Sequence, residues 1–113
     1  MVGKNFKTEK ASELVGGKGS ALMIYHLEDS ELPEKCGIFA EIVLEPGATV
    51  GYHQHVGDNE LYYIIEGKGL YTENGEEYEV DAGTRTMVYD GDFHGLDNTG
   101  EEPLKFLAVV IKE

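Results

Sequence analysis

The chain is 113 residues long and carries 9 basic against 22 acidic residues, a formal charge of −13; that length supports one hydrophobic core, and a field of that sign disfavours nucleic acid and anionic membrane surfaces as partners. No apolar run approaches the ~18 residues of a membrane span and Met1 to Lys10 is polar, so the expectation is a cytoplasmic protein with no membrane partner and no secretory leader. The single cysteine, Cys36, excludes an internal disulfide and has no neighbouring base, so it reads as a buried or idle thiol.

Residues 1–20 read as a loosely organised N-terminal arm ending in Gly16-Gly17-Lys18-Gly19, and 21–113 as a single domain. Those glycines are not a phosphate loop, because no Gly-Lys-Ser/Thr follows in a strand-to-helix setting. From Ser20 onward short strands broken by turns are expected at about 20–27, 37–45, 48–55, 60–66, 69–73, 76–80, 85–89, 93–97 and 104–111. Asn74-Gly75, between Tyr71-Thr-Glu and Glu-Tyr78, signals a type I′ hairpin. No segment has the 3.6-residue periodicity of an amphipathic helix, so the pattern is an all-β sandwich or barrel.

Within that frame the histidines stand out. Side chains two apart on a strand share a face, so an extended 48–55 projects His53 and His55 together. A short loop returns the chain with Glu60 at the head of the next strand, and His94 follows the tight Asp90-Gly91 turn. Three neutral imidazoles and one carboxylate suit a divalent transition metal, Mn, Fe, Ni, Co or Zn, rather than oxygen-seeking Mg²⁺ or Ca²⁺. His26, in Ile24-Tyr-His-Leu, has no such company and reads as structural or surface.

These two stretches resemble the two motifs of the cupin superfamily. Gly47, His53, His55, Glu60 and Gly67 match the first motif, and Gly83, Gly91, His94 and Asn98 match the second, with Tyr89 standing where the family has proline. The similarity covers about Ile38 to Ile111, and the short span from Lys68 to Ala82 is like that of small bacterial single-domain members. The resemblance implies a double-stranded β-helix of the jelly-roll type, with His53, His55, Glu60 and His94 as ligands of one metal. It says little about the reaction, because the family hosts many chemistries.

Strand parity extends the reading. Glu60 must face inward to reach the metal, so Tyr62 and Ile64 follow it while Leu61, Tyr63 and Ile65 face outward. Ile38, Ala40, Ile42 and Leu44 form an apolar inner face, which puts Glu41 outside and leaves Tyr62 as the candidate catalytic hydrogen-bond donor. Arg85, the only arginine, is read as a surface ion pair, with a carboxylate clamp as the alternative. Leu104 to Ile111 is apolar on both parities; covering it and the outward residues of 61–65 gains roughly 25 cal/mol per Å², so a homodimer is expected.

One carboxylate against a divalent ion leaves about one net positive charge, which favours anionic or chelating oxygen ligands. The first functional reading is therefore a metal-dependent enzyme, of decarboxylase, dioxygenase or isomerase type, acting on a small oxygen-rich or carboxylate molecule. The alternative is a non-catalytic metal-dependent small-molecule binder or sensor, and a closed tetrahedral structural zinc site is the third reading.

Overall fold

The computed structural model describes all 113 residues. In chain order its strands are β1 (Lys7–Ser12), β2 (Ser20–Tyr25), β3 (Cys36–Leu44), β4 (Thr49–Gln54), β5 (Asp58–Glu66), β6 (Lys68–Glu73), β7 (Glu76–Asp81), β8 (Arg85–Val88), β9 (Phe93–Asp97) and β10 (Leu104–Lys112). Two 3₁₀ turns, Leu14–Gly16 and Asp29–Glu31, complete the inventory, and no helix is long and apolar enough to cross a membrane.

The strands form two antiparallel sheets, one ordered β1-β2-β3-β10-β5-β8 and the other β4-β9-β6-β7. From β3 to β6, and again from β7 to β10, successive strands alternate between the sheets. That alternation is the double-stranded β-helix expected above, and it gives the barrel an inner and an outer face at every strand. The core lies between the sheets. Leu104, Phe106, Ala108 and Val110 on β10 face inward, the first three with no solvent exposure, and Leu44, Ile64 and Leu96 close the same cluster.

The strands from β2 onward fall within a few residues of expectation because turn chemistry and period-2 alternation are local signals. At the Asn74-Gly75 turn both residues take positive φ, 48° and 83°, as a type I′ hairpin requires. The N-terminal segment differs from expectation. Lys7–Ser12 is an edge strand paired with β2 from Lys7↔Tyr25 to Ser12↔Ser20, so residues 1–20 are not simply a loose arm. KTEKAS has no apolar alternation, and every residue but Ala11 is exposed. It is held by main-chain hydrogen bonds, and its charges suit an edge that must not recruit other strands.

The Tyr89 departure has a structural account. Its backbone N–H donates to Asp92 Oδ2 at 2.8 Å, and Asp92 N–H returns to the Tyr89 carbonyl at 2.9 Å. Proline has no N–H and could not make the first bond. The side chain stays outside, 61% exposed.

Candidate metal centre

Three of the four candidate ligands come from the four-stranded sheet. His53 lies on β4, His55 just past its end and His94 on β9, while Glu60 reaches across from β5 of the other sheet. The β4–β9 register shifts between Val50 and His53, and the irregularity sets His53 directly opposite His94. The donor atoms of all four residues lie within 4.8 Å of one another. The short pairs are His53 Nε2 to His55 Nε2 at 3.2 Å, His55 Nε2 to His94 Nε2 at 3.0 Å, and Glu60 Oε1 to His55 and His94 Nε2 at 3.1 and 3.2 Å. His94 is fully buried, and Glu60 and His55 are nearly so.

The other nitrogen of each imidazole explains why these atoms converge. His53 Nδ1 donates to the Gly51 carbonyl at 2.6 Å and His55 Nδ1 to Asp58 Oδ1 at 2.7 Å. His94 Nδ1 meets the Tyr71 hydroxyl at 3.1 Å, and that hydroxyl also contacts Glu73 Oε1 at 3.0 Å. A carboxylate can only accept, so the phenol proton goes to Glu73 and the phenol oxygen accepts from His94 Nδ1–H. Every Nδ1 is then a donor, which leaves the three Nε2 atoms as the ends of the imidazoles that converge. In the metal-free protein a proton shared between His55 and Glu60 relieves part of the crowding; with all three imidazoles neutral, their lone pairs and the carboxylate repel unless a cation lies between them. The donor set therefore fits a metal, with each histidine oriented by an outer partner.

Burial works to raise the Glu60 pKa, but the hydrogen bonds and charges of His55 and His94 outweigh it and hold the carboxyl below its usual range. Hydrogen bonding to Glu60 is the largest influence on His55, with Asp58 adding to it against burial, and pushes its pKa up to about 9. His53 goes the other way, lowered chiefly by desolvation.

Beside the donors opens a cavity of about 330 Å³ walled by Leu14, Val15, Ile38, Ile42, Val50 and Val110, with Tyr62, Asp58 and Lys112 among its polar groups. A groove of about 510 Å³ on the outer face of β4 and β9 is larger, but it holds none of the four donors. Tyr62 is 2% exposed with its ring stacked on His94 at 4.8 Å, whereas Tyr63 is 44% exposed on the outer face. Burial, then the Glu60 charge, push the Tyr62 pKa well above that of free tyrosine, so it stays a phenol.

The remaining candidates fall away from the centre. Glu41 sits on the outer face between His26 and Lys105, the latter 3.0 Å away. His26 is accordingly structural, and its ring packs at a tilt against Phe6, centroids 4.5 Å apart. Arg85 is exposed and makes neither of the contacts weighed for it: it lines no part of the metal cavity and has no carboxylate within 4.0 Å. Asn98 is a framework residue whose amide donates to the Leu44 and Glu102 carbonyls. Cys36 donates weakly to the Ile38 carbonyl at 3.4 Å.

Sequence reasoning missed Asp58, Tyr71 and the roof of the cavity. Asp58 had a signal, an acid three residues past His55. Tyr71 had none without the β6–β9 pairing. The roof is the Leu14–Gly16 turn, in which Val15 takes φ 50°, ψ 42°, a conformation that is rare for a β-branched residue. It packs against β4 only because Gly51 has no side chain: a Cβ there would lie 2.2 Å from the Val15 carbonyl oxygen.

Comparison with known proteins agrees with this geometry. Residues 40–110 match the model of the family described as Cupin domain. An oxalate-binding protein of Thermotoga maritima is 39% identical over 103 residues, covering 91% of this chain and 85% of the relative. A crystal structure described as a predicted oxalate decarboxylase, also from Thermotoga maritima, superposes with a TM-score of 0.94 at 36% identity, covering the whole of both chains. A glucose-6-phosphate isomerase of Thermococcus onnurineus is 37% identical, covering 77% of this chain but only 54% of its own length.

Proposed function

The chain belongs to the Cupin domain family, and from that premise we propose that it is a metal-dependent binder of small dicarboxylates of the oxalate class. The observation that carries this reading is the convergence of His53, His55, Glu60 and His94 next to a cavity. The cavity lined by His53, His55 and Glu60 gives a small ligand access to the four residues, which favours an open site over a closed structural zinc site. The similarity to a protein named for oxalate binding supports the ligand class. Calorimetry should show one oxalate per chain on manganese-reconstituted protein and none after chelation. Equal binding with and without metal would overturn the reading.

A bound metal would supply Lewis acidity to a chelated carboxylate, or a site for O₂. The chain's own residues would then orient the ligand: Tyr62 offers a phenolic proton next to Glu60 and His94, and the apolar wall excludes water. Asp58 is committed to His55 and is not free as a base. For that reason binding leads, and the enzymic reading, a decarboxylase, dioxygenase or isomerase, stands second on Tyr62 alone. If it holds, Tyr62→Phe should lower turnover of a carboxylate panel at least tenfold with metal content intact, while Tyr63→Phe leaves the rate alone. Loss of rate in both variants would remove Tyr62 from the chemistry.

We further propose that the functional unit is a homodimer joined through the outer face of the six-stranded sheet. Leu107 lies opposite Tyr63, and Val109 lies between Leu61 and Phe39, which makes one contiguous apolar patch. A second copy is the natural occupant, because a two-fold pair matches the patch to itself. Ile65→Lys would bury a charge there and should shift sedimentation equilibrium to monomer. A monomeric wild type in moderate salt, which screens the −13 charge on each chain, would exclude the dimer.

A further inference from the structure

One charged residue lining the cavity is used by neither the donor set nor its hydrogen-bond partners: Lys112, an exposed residue at the end of β10. On β10 the inward row runs Leu104, Phe106, Ala108, Val110, all buried, and Lys112 is the next residue of the same parity. It reaches the cavity that holds His53, His55 and Glu60, and its strand partner on β5 is Asp58. Three local features keep it available there.

The β10–β3 register passes from Val110↔Ile38 to Ile111↔Cys36, so Gly37 is skipped and forms a bulge alongside the lysine. Such bulges re-aim side chains next to binding sites. A Cβ at Gly37 would lie 3.0 Å from Val110 Cγ1 and 3.4 Å from Lys112 Cε, so the glycine leaves room for the lysine stem against the wall. Lys112 also has no ion pair, although the chain has 22 acidic residues. Lys105, earlier on the same strand but facing outward, is paired with Glu41. The acid across from Lys112 is occupied, because Asp58 accepts from His55.

We propose that Lys112 is the anion-recognition residue of this cavity, selecting ligands with a second negative charge beyond the carboxylate held beside the four donors. A divalent ion with Glu60 and Asp58 is neutral overall, and Lys112 makes the cavity positive. An otherwise acidic chain would thus draw in a small dianion through one local field. The proposal rests on the metal-dependent reading above and adds the charge selectivity of that site.

The test is calorimetry on the full, manganese-reconstituted chain with oxalate and malonate as dianions and glycolate as a monoanionic chelator. Lys112→Met keeps the stem and removes the charge; it should weaken both dianions about 5- to 20-fold, as expected for a lost charge-assisted contact, and leave glycolate within about twofold. Manganese content should not change, and Lys112→Arg should restore most of the dianion affinity. Should Lys112→Met fold poorly, Lys112→Gln carries the same comparison. Equal losses for all three ligands, or no loss, would overturn the assignment while leaving the metal-dependent reading intact. A wild type that binds none of the three would overturn both.

Discussion

His94→Ala should abolish metal retention, because His94 is the fully buried member of the donor set and lies within 3.2 Å of two of the other donors. Alanine leaves two imidazoles and a carboxylate, without the outer partner that Tyr71 provides. His53→Ala should act the same way, whereas His26→Ala, on the outer face, should leave metal content unchanged. Elemental analysis after reconstitution decides this, and full occupancy in both ligand variants would refute the site. The loss should also appear in melting temperature, since a metal that binds only the folded chain stabilises it by mass action.

The same centre should be pH-dependent in a definite direction. The His55 pKa is raised to about 9 by Glu60 and Asp58 in the metal-free protein, so at neutral pH a metal must displace its proton. Metal affinity should therefore rise with pH up to about 9, by as much as tenfold per unit for one displaced proton. In the metal-free fold the sign reverses. A raised folded pKa contributes stability that is fully present below the unfolded value near 6.5 and lost as pH passes through about 9. Titrating metal affinity and metal-free melting temperature across that window should give opposite slopes.

Tyr71→Phe should weaken metal binding by about 10- to 100-fold, the usual cost of losing an outer partner of a ligating histidine. Phenylalanine keeps the buried ring and removes only the oxygen that accepts from His94 Nδ1–H. Without that acceptor His94 is free to carry its proton on Nε2, the tautomer that cannot ligate. A merely structural role for the hydroxyl would lower the melting temperature and leave the tautomer alone. Nitrogen-15 spectra of His94 separate the two, and an unchanged Nδ1–H resonance with unchanged metal affinity would eliminate the positioning role. Glu73→Gln should show a weaker form of the same change, because it alters the group that fixes the direction of the phenol proton.

Several local features of this protein were readable from the chain alone. Alternation placed Tyr62 inside and Tyr63 outside, Asn74-Gly75 located the hairpin, and the motif spacing of His53, His55, Glu60 and His94 picked out four residues that the fold brings together. Each of these depends on residues close in sequence or on a motif with fixed intervals. Arg85 and Lys7–Ser12 were misread for the opposite reason. Whether an arginine finds an acid, or a polar segment pairs as an edge strand, depends on what the fold brings beside it.

The two-residue period of its strands determined that this chain would form an all-β sandwich or barrel with His53 and His55 on one face, because side-chain direction along a strand is set by the backbone itself; the resemblance to the two cupin motifs added Glu60 and His94 to that pair. Tertiary structure alone decided which groups hold those ligands and what else reaches them. Tyr71 meets His94 only because β6 pairs with β9, Lys112 reaches the cavity only because β10 runs between β3 and β5, and Val15 roofs it only because Gly51 lets a distant turn approach β4. All three are contacts between residues far apart in the chain, and they follow from the order of strands in the sheets, which local periodicity does not encode.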